Sequence, residues 1–212
     1  MSWCATLPSV CGTEMVQYHY TEGQTPLGEE EKGHLIPTVL TREDLDRFER
    51  ENILEARRWV MRKSVLASKR DIFTEKFILN LHKRMFGRVW KWAGQYRKSD
   101  KNIGVDYLHI QTELRNLLDD AAYWLEHDTY DITELAVIFH HRLVKIHLFP
   151  NGNGRHARLF ADVIVAKYGG EKLTWGGGAD LTASEGIRKR YVAALHEADS
   201  GSYDSLVLFA KS

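Results

Sequence analysis

Residues 147–158 read His147-Leu148-Phe149-Pro150-Asn151-Gly152-Asn153-Gly154-Arg155-His156-Ala157-Arg158. Upstream, from Asp131 to Ile146, apolar residues fall at Ile132, Leu135, Ala136, Phe139, Leu143 and Ile146. That spacing predicts an amphipathic helix with one buried face. Downstream, Leu159, Phe160, Val163 and Ile164 begin a second apolar run. Pro150 cannot continue a helix, because it lacks an N–H and clashes with the preceding turn. The stretch is therefore a helix, a tight Gly-rich turn and a new helix.

Such a turn has chemistry of its own. Asn151, Gly152, Asn153 and Gly154 let successive backbone N–H groups converge, and the next helix adds its unpaired donors and partial positive charge. Phosphate suits that arrangement. Arg155 and Arg158, three apart, share one face of the first helical turn and supply two guanidinium forks. Cations at a helix N-terminus oppose the macrodipole, so their presence points to an anion between them. His147 stands at the other lip, where an imidazole can take a proton from a hydroxyl.

Composition narrows the partners. The chain has 212 residues, 29 basic and 29 acidic side chains and 43% apolar content, which suits one domain with a sizeable core. A net charge of zero argues against coating nucleic acid or an anionic membrane. No apolar run reaches the length of a transmembrane helix, and no secretory signal opens the chain. Cys4 and Cys11 make no disulfide framework, and a cytoplasmic location is expected.

Along the chain, residues 1–40 read as a leader containing one short helix, marked by Thr25, Pro26, Glu29-Glu30-Glu31-Lys32 and Gly33. Thr41 and Asp44 form a capping pair for a helix to about Met61. Further helices are expected over Thr74–Met85, Ile110–Glu126, Ser184–Ala198 and Tyr203–Ala210. Trp90 and Trp92 read as core aromatics. Tyr96–Tyr107 lacks helical period, carries Gly104, and is expected to form a short β-hairpin or extended loop. His140, His141 and His156 lack a metal-ligand spacing and read as solvated or capping residues. The class is all-α with one small β element.

The twelve residues resemble the signature of the Fic family, His-x-Phe-x-(Asp/Glu/Asn)-Gly-Asn-Gly-Arg-x-x-Arg, at every fixed position. The resemblance implies a Fic-like helical bundle over residues 41–212 with a β-hairpin flap at Asn102, Ile103 and Gly104 that clamps the target. It implies a protein adenylyltransferase that moves AMP from ATP to a Tyr, Thr or Ser hydroxyl of another protein. His147 would be the base, and Asn151, Gly152, Asn153, Gly154, Arg155 and Arg158 would bind phosphates. Many Fic enzymes hold Mg²⁺ (or Mn²⁺) through an acid at position 151; here Asn151 is a weaker, neutral ligand. Some carry an inhibitory helix whose glutamate pairs with the second arginine. Glu29, Glu30 and Glu31 are the candidates, with Arg158 as partner. An antitoxin partner or self-association is compatible with this reading; nucleic acid and membrane are not expected. The alternatives are a catalytically weak nucleotide- or partner-binding regulatory module and a Doc-like phosphotransferase. Doc proteins have Ala and Lys where this chain has Gly152 and Gly154, which favours nucleotidyl transfer.

Overall fold

The computed structural model describes residues 26–38, 41–68, 71–177 and 185–212. Cys4, Cys11, Thr25 and the start of the 184–198 helix lie outside them. The helices in chain order are α1 (Glu29–Lys32), α2 (Arg42–Val60), α3 (Lys63–Leu66), α4 (Glu75–Phe86), α5 (Ile110–Glu126), α6 (Ile132–Ile146), α7 (Asn153–Tyr168), α8 (Glu185–Asp199) and α9 (Asp204–Lys211). A single 3-10 turn, Tyr107–His109, precedes α5.

Helix α2 starts where Thr41 accepts a hydrogen bond from the Asp44 backbone N–H, as the capping pair predicts. Thr74 does the same for Phe77 at the start of α4. Asp131 accepts from the N–H groups of Thr133 and Glu134 to begin α6.

Helices α6 and α7 form the centre. Residues 135–141 of α6 and 159–165 of α7 are buried without a break, so each helix is covered on every side along that run. The single buried face expected for α6 is therefore corrected. A helix apolar all round belongs in the middle of a bundle, and here α5 covers one flank of α6 while α4 packs on α7. Helix α2 lies outside α4, and α8 with α9 closes the remaining side. At the centre Phe139 stacks on Phe160 at 4.9 Å, and Phe77 meets Phe160 edge-on at 5.9 Å.

Among the described residues there is no strand, only one antiparallel bridge between Leu35 and Trp90. The expected β-hairpin at 102–104 is not formed. The reason is competition for its backbone. Arg97, only 2% exposed, donates to the carbonyls of His147 (2.7 Å), Ser99 (2.9 Å) and Val105. Its own N–H donates to Leu148 O, and Val105 N–H donates to Ile146 O. Asp100 accepts from Tyr107 N–H. The segment is thus tied to the α6–α7 turn instead of to itself. No helix among the described residues is long and apolar enough to cross a membrane.

Candidate active site

Helix α6 ends at His147, whose φ of 60° and ψ of 64° are left-handed. Such a residue stops the helix and throws the chain sideways into the turn, at some cost for any residue but glycine. Arg97 offsets that cost by gripping the His147 carbonyl. Asn153 closes the turn from within: its Oδ1 accepts from Phe149 N–H at 2.9 Å and its Nδ2 donates to Phe149 O at 2.8 Å. Gly152 caps α7 with φ 81°, and a Cβ there would stand 2.6 Å from the Phe86 ring. Only glycine fits both demands.

His82 supports the turn from below. Its ring lies 3.6 Å from the Phe149 ring. Its Nδ1 accepts from Gly94 N–H at 2.9 Å, so Nε2 carries the proton and donates to Asn151 O at 3.1 Å. Burial first, then the charges of His156 and Arg155, push its pKa well below the usual imidazole value. It is a neutral structural histidine. His140, His141 and His156, expected to be solvated or capping, are buried instead. His156 bonds to the Ile78 carbonyl, and burial pushes its pKa down to about 4.

The first N–H groups of α7, from Asn153, Gly154 and Arg155, point out of the helix end into the turn, as at any helix start. Arg155 extends over Phe86 and pairs with Glu49 of α2 at 2.6 Å. Its other fork nitrogen donates to Asn151 Oδ1 at 3.1 Å. Glu49 also accepts from Trp90 Nε1 at 2.7 Å. Burial works against its ionisation, yet Arg155, Trp90 and Arg42 hold its carboxyl below the usual value. Arg158 lies over the Tyr191 ring instead, with its guanidinium carbon 5.2 Å from the centroid. A cavity of about 620 Å³ opens beside both arginines, bordered also by Arg57, Lys172 and Lys211.

The residues present do not make a metal centre. Asn151 supplies one neutral oxygen, and a guanidinium already donates to it. No group of three or more His, Cys, Asp or Glu suited to a metal exists among the described residues.

His147 is 4% exposed, and Gly104 of the loop at 98–106 lies against it. A Cβ on Gly104, whose φ is 109°, would stand 2.6 Å from His147 Cβ. Burial first, then the nearby charges of Arg97 and Lys101, push the His147 pKa down to about 4, against a hydrogen bond to the Val144 backbone. Asn102 and Ile103 are exposed on the outside of the same loop.

The three glutamates sit on this loop's side. Glu31 pairs with Lys101 at 2.6 Å, with side-chain exposures of 15% and 9%. The same carboxylate oxygen accepts from Gly28 N–H at 2.7 Å. Glu29 pairs with Lys32, and Glu30 is exposed. The structure places none of them on Arg158.

Residues 72–165, from the approach to α4 through most of α7, match the family model for Fic/DOC. Over this stretch the chain is similar to the Fic/DOC family. A relative from Caenorhabditis elegans, protein adenylyltransferase fic-1, is 29% identical over 154 residues, covering 69% of this chain and 28% of that protein. A probable protein adenylyltransferase from Aquifex aeolicus is 28% identical over 138 residues, covering 64% of this chain and 40% of its own length. The chain thus spans well under half the length of these curated relatives. Among solved structures, a Fic-1 fragment from C. elegans superposes with a TM-score of 0.59 at 26% identity, over 77% of this chain and 47% of that one. BepC from Bartonella tribocorum, solved with AMPPNP, shares the fold with a TM-score of 0.63 at 15% identity, over 87% and 97% of the two chains.

Several residues that build this site carry little signal in the sequence. Glu49 and His82 occupy positions on the buried faces of α2 and α4, beside Leu45 and Leu81. A polar residue at an apolar-face position is the signal that could have found them. Arg97 and Lys101 carry no such mark.

Proposed function

We propose that this chain is a protein adenylyltransferase, transferring AMP from ATP to a Tyr, Thr or Ser hydroxyl of a target protein. What carries the reading is one juxtaposition: a neutral imidazole and a helix N-terminus with two arginines share the ends of a single six-residue turn. The names of the curated relatives point the same way.

In this reading His147 removes the hydroxyl proton as that oxygen attacks the α-phosphorus. The new O–P bond forms, the α–β bridge breaks, and pyrophosphate leaves. Backbone donors at the start of α7 stabilise charge on the phosphate oxygens, usually the largest catalytic term. Arg155 and Arg158 hold the β- and γ-phosphates. For phosphate to engage Arg155, it must compete with Glu49. Incubation with ATP labelled at either the α- or the γ-phosphorus, in Mg²⁺ buffer, tests the assignment. Label is expected on protein from the α position alone. Protein label from the γ position alone would make the chain a phosphotransferase.

We further infer that restraint acts through the loop over His147. The Glu31–Lys101 pair straps α1 to that loop, and no target hydroxyl reaches a covered imidazole. Glu31→Gln is expected to raise AMP transfer about tenfold, equivalent to about 1.4 kcal/mol less cost of opening. Glu29→Gln, which touches only Lys32, is the control expected to leave the rate unchanged. Equal rates for both variants and the intact chain would remove Glu31 from the mechanism.

A further inference from the structure

The two arginines of the turn are held in opposite ways. Arg155 is neutralised by a buried carboxylate, Glu49. Among the described residues Arg158 forms no salt bridge with a carboxylate, the charge of Asp162 acting on it only at longer range; the side chain it lies over is the phenol of Tyr191. The Tyr191 hydroxyl lies beside the Arg158 guanidinium, whose charge opposes the upward push of burial on the phenol, and it is 3.0 Å from His140 Nε2. Tyr191 and His140 are 7% and 0% exposed.

Among the described residues the His140 ring makes no other hydrogen bond. Its ring lies against Trp175 at 4.6 Å, and its Nδ1 is buried without a hydrogen bond. Whichever nitrogen carries the proton, half of the ring's bonding capacity is unmet. A buried polar group left so incomplete calls for an explanation beyond packing. Its one hydrogen bond fixes the rotation of the Tyr191 hydroxyl.

The location supplies the rest. A Cβ on Gly154 would stand 3.5 Å from an Arg158 fork nitrogen and 3.7 Å from the Tyr191 hydroxyl. Phenol and fork therefore meet beside the backbone of the α7 N-terminus. A carboxylate in the tyrosine's place would aim the guanidinium equally well, but it would also cancel the charge that attracts an anion. A hydroxyl aims it and leaves the charge available.

We propose that Tyr191, oriented by His140, is a positioning residue that fixes Arg158 for the terminal phosphates of the nucleotide. This rests on the nucleotide reading of the turn. Tyr191→Phe keeps the ring beneath the guanidinium and deletes only the hydroxyl.

The test measures ATP and AMP affinity calorimetrically on the full chain, together with the exchange rates of the Arg158 guanidinium N–H groups by NMR. For Tyr191→Phe, ATP binding is expected to weaken about tenfold while AMP binding is unchanged. In turnover the same variant raises KM for ATP with kcat retained. The Arg158 guanidinium signal, slowly exchanging in the intact chain, is expected to exchange fast in the variant. A merely structural tyrosine would weaken ATP and AMP alike and lower the thermal midpoint. Unchanged ATP affinity, or an unchanged Arg158 signal, overturns the proposal. An intact chain that binds no ATP overturns the nucleotide reading instead, and the NMR arm still decides whether Tyr191 positions Arg158.

Discussion

Acidification from above about pH 7.5 to pH 4 is expected to cost the folded protein about 6 kcal/mol through two rings, His147 and His156, whose pKa values fall from 6.5 to about 4. Above about pH 7.5 both imidazoles are essentially neutral whether the chain is folded or not, and they contribute little pH dependence. Between 6.5 and 4 the unfolded chain takes up protons that the folded chain refuses, so stability falls with pH. Below 4 the folded form protonates as well and the loss levels off. Each ring accounts for about 3 kcal/mol by pH 4. Against a typical stability of about 5–15 kcal/mol, that is enough to unfold many domains.

The neighbours reinforce the direction. His82 faces His156 and Arg155, His140 faces Arg158 and His141, and His147 faces Arg97 and Lys101. Burial is the leading cause in each case, and each pKa is lowered. Glu49, held below its usual value chiefly by Arg155, also loses its contribution as pH falls. Asp162 and Glu134, whose carboxyls burial pushes up, work the other way. Urea unfolding midpoints measured across this pH range, with proton uptake on unfolding, check the expectation. A midpoint that stays flat from pH 6.5 to 4 would mean that these rings are not buried neutral in the folded protein.

The same histidines show where the sequence is legible and where it is not. Helices α2, α4 and α5 announce themselves because their apolar period and their caps, Thr41 and Thr74 among them, are local properties of short stretches. The α6–α7 turn is equally local, since Pro150 and Gly152 force it. Burial all round α6 is not local. It follows from α5, α7 and the α8–α9 pair all packing around it, so His140 and His141, which meet Tyr191 and Asp199, look like surface residues until the bundle is assembled. The loop at 98–106 fails for a related reason. Its shape is set by Arg97 reaching the far ends of α6, fifty residues on, and a periodicity argument has no access to such a contact. The glutamates divide the same way. Three acids before a lysine mark a helix, but the choice of Lys101 over Arg158 as partner depends on how α1 docks.

Replacing His147 by Ala is expected to lower AMP transfer about 10²–10⁴-fold, the range spanned by general base catalysis, with ATP affinity retained. Alanine is a poor residue at φ 60°, so a loss could arise from the backbone alone. Asparagine tolerates that conformation but has no basic nitrogen. Equal losses in His147→Ala and His147→Asn therefore assign the effect to the imidazole, whereas full activity in the Asn variant removes His147 as the base. The pH profile sharpens the test. An imidazole with its pKa pushed down to about 4 is already deprotonated at pH 6.5, so transfer by the intact chain should stay level through that value. It should fall only where the fold itself gives way. An acidic limb centred on 6.5 would instead place the working imidazole in water. The loop carrying Gly104 would then already stand open in most of the resting protein, and Glu31→Gln would have no closed state to release and would gain no rate.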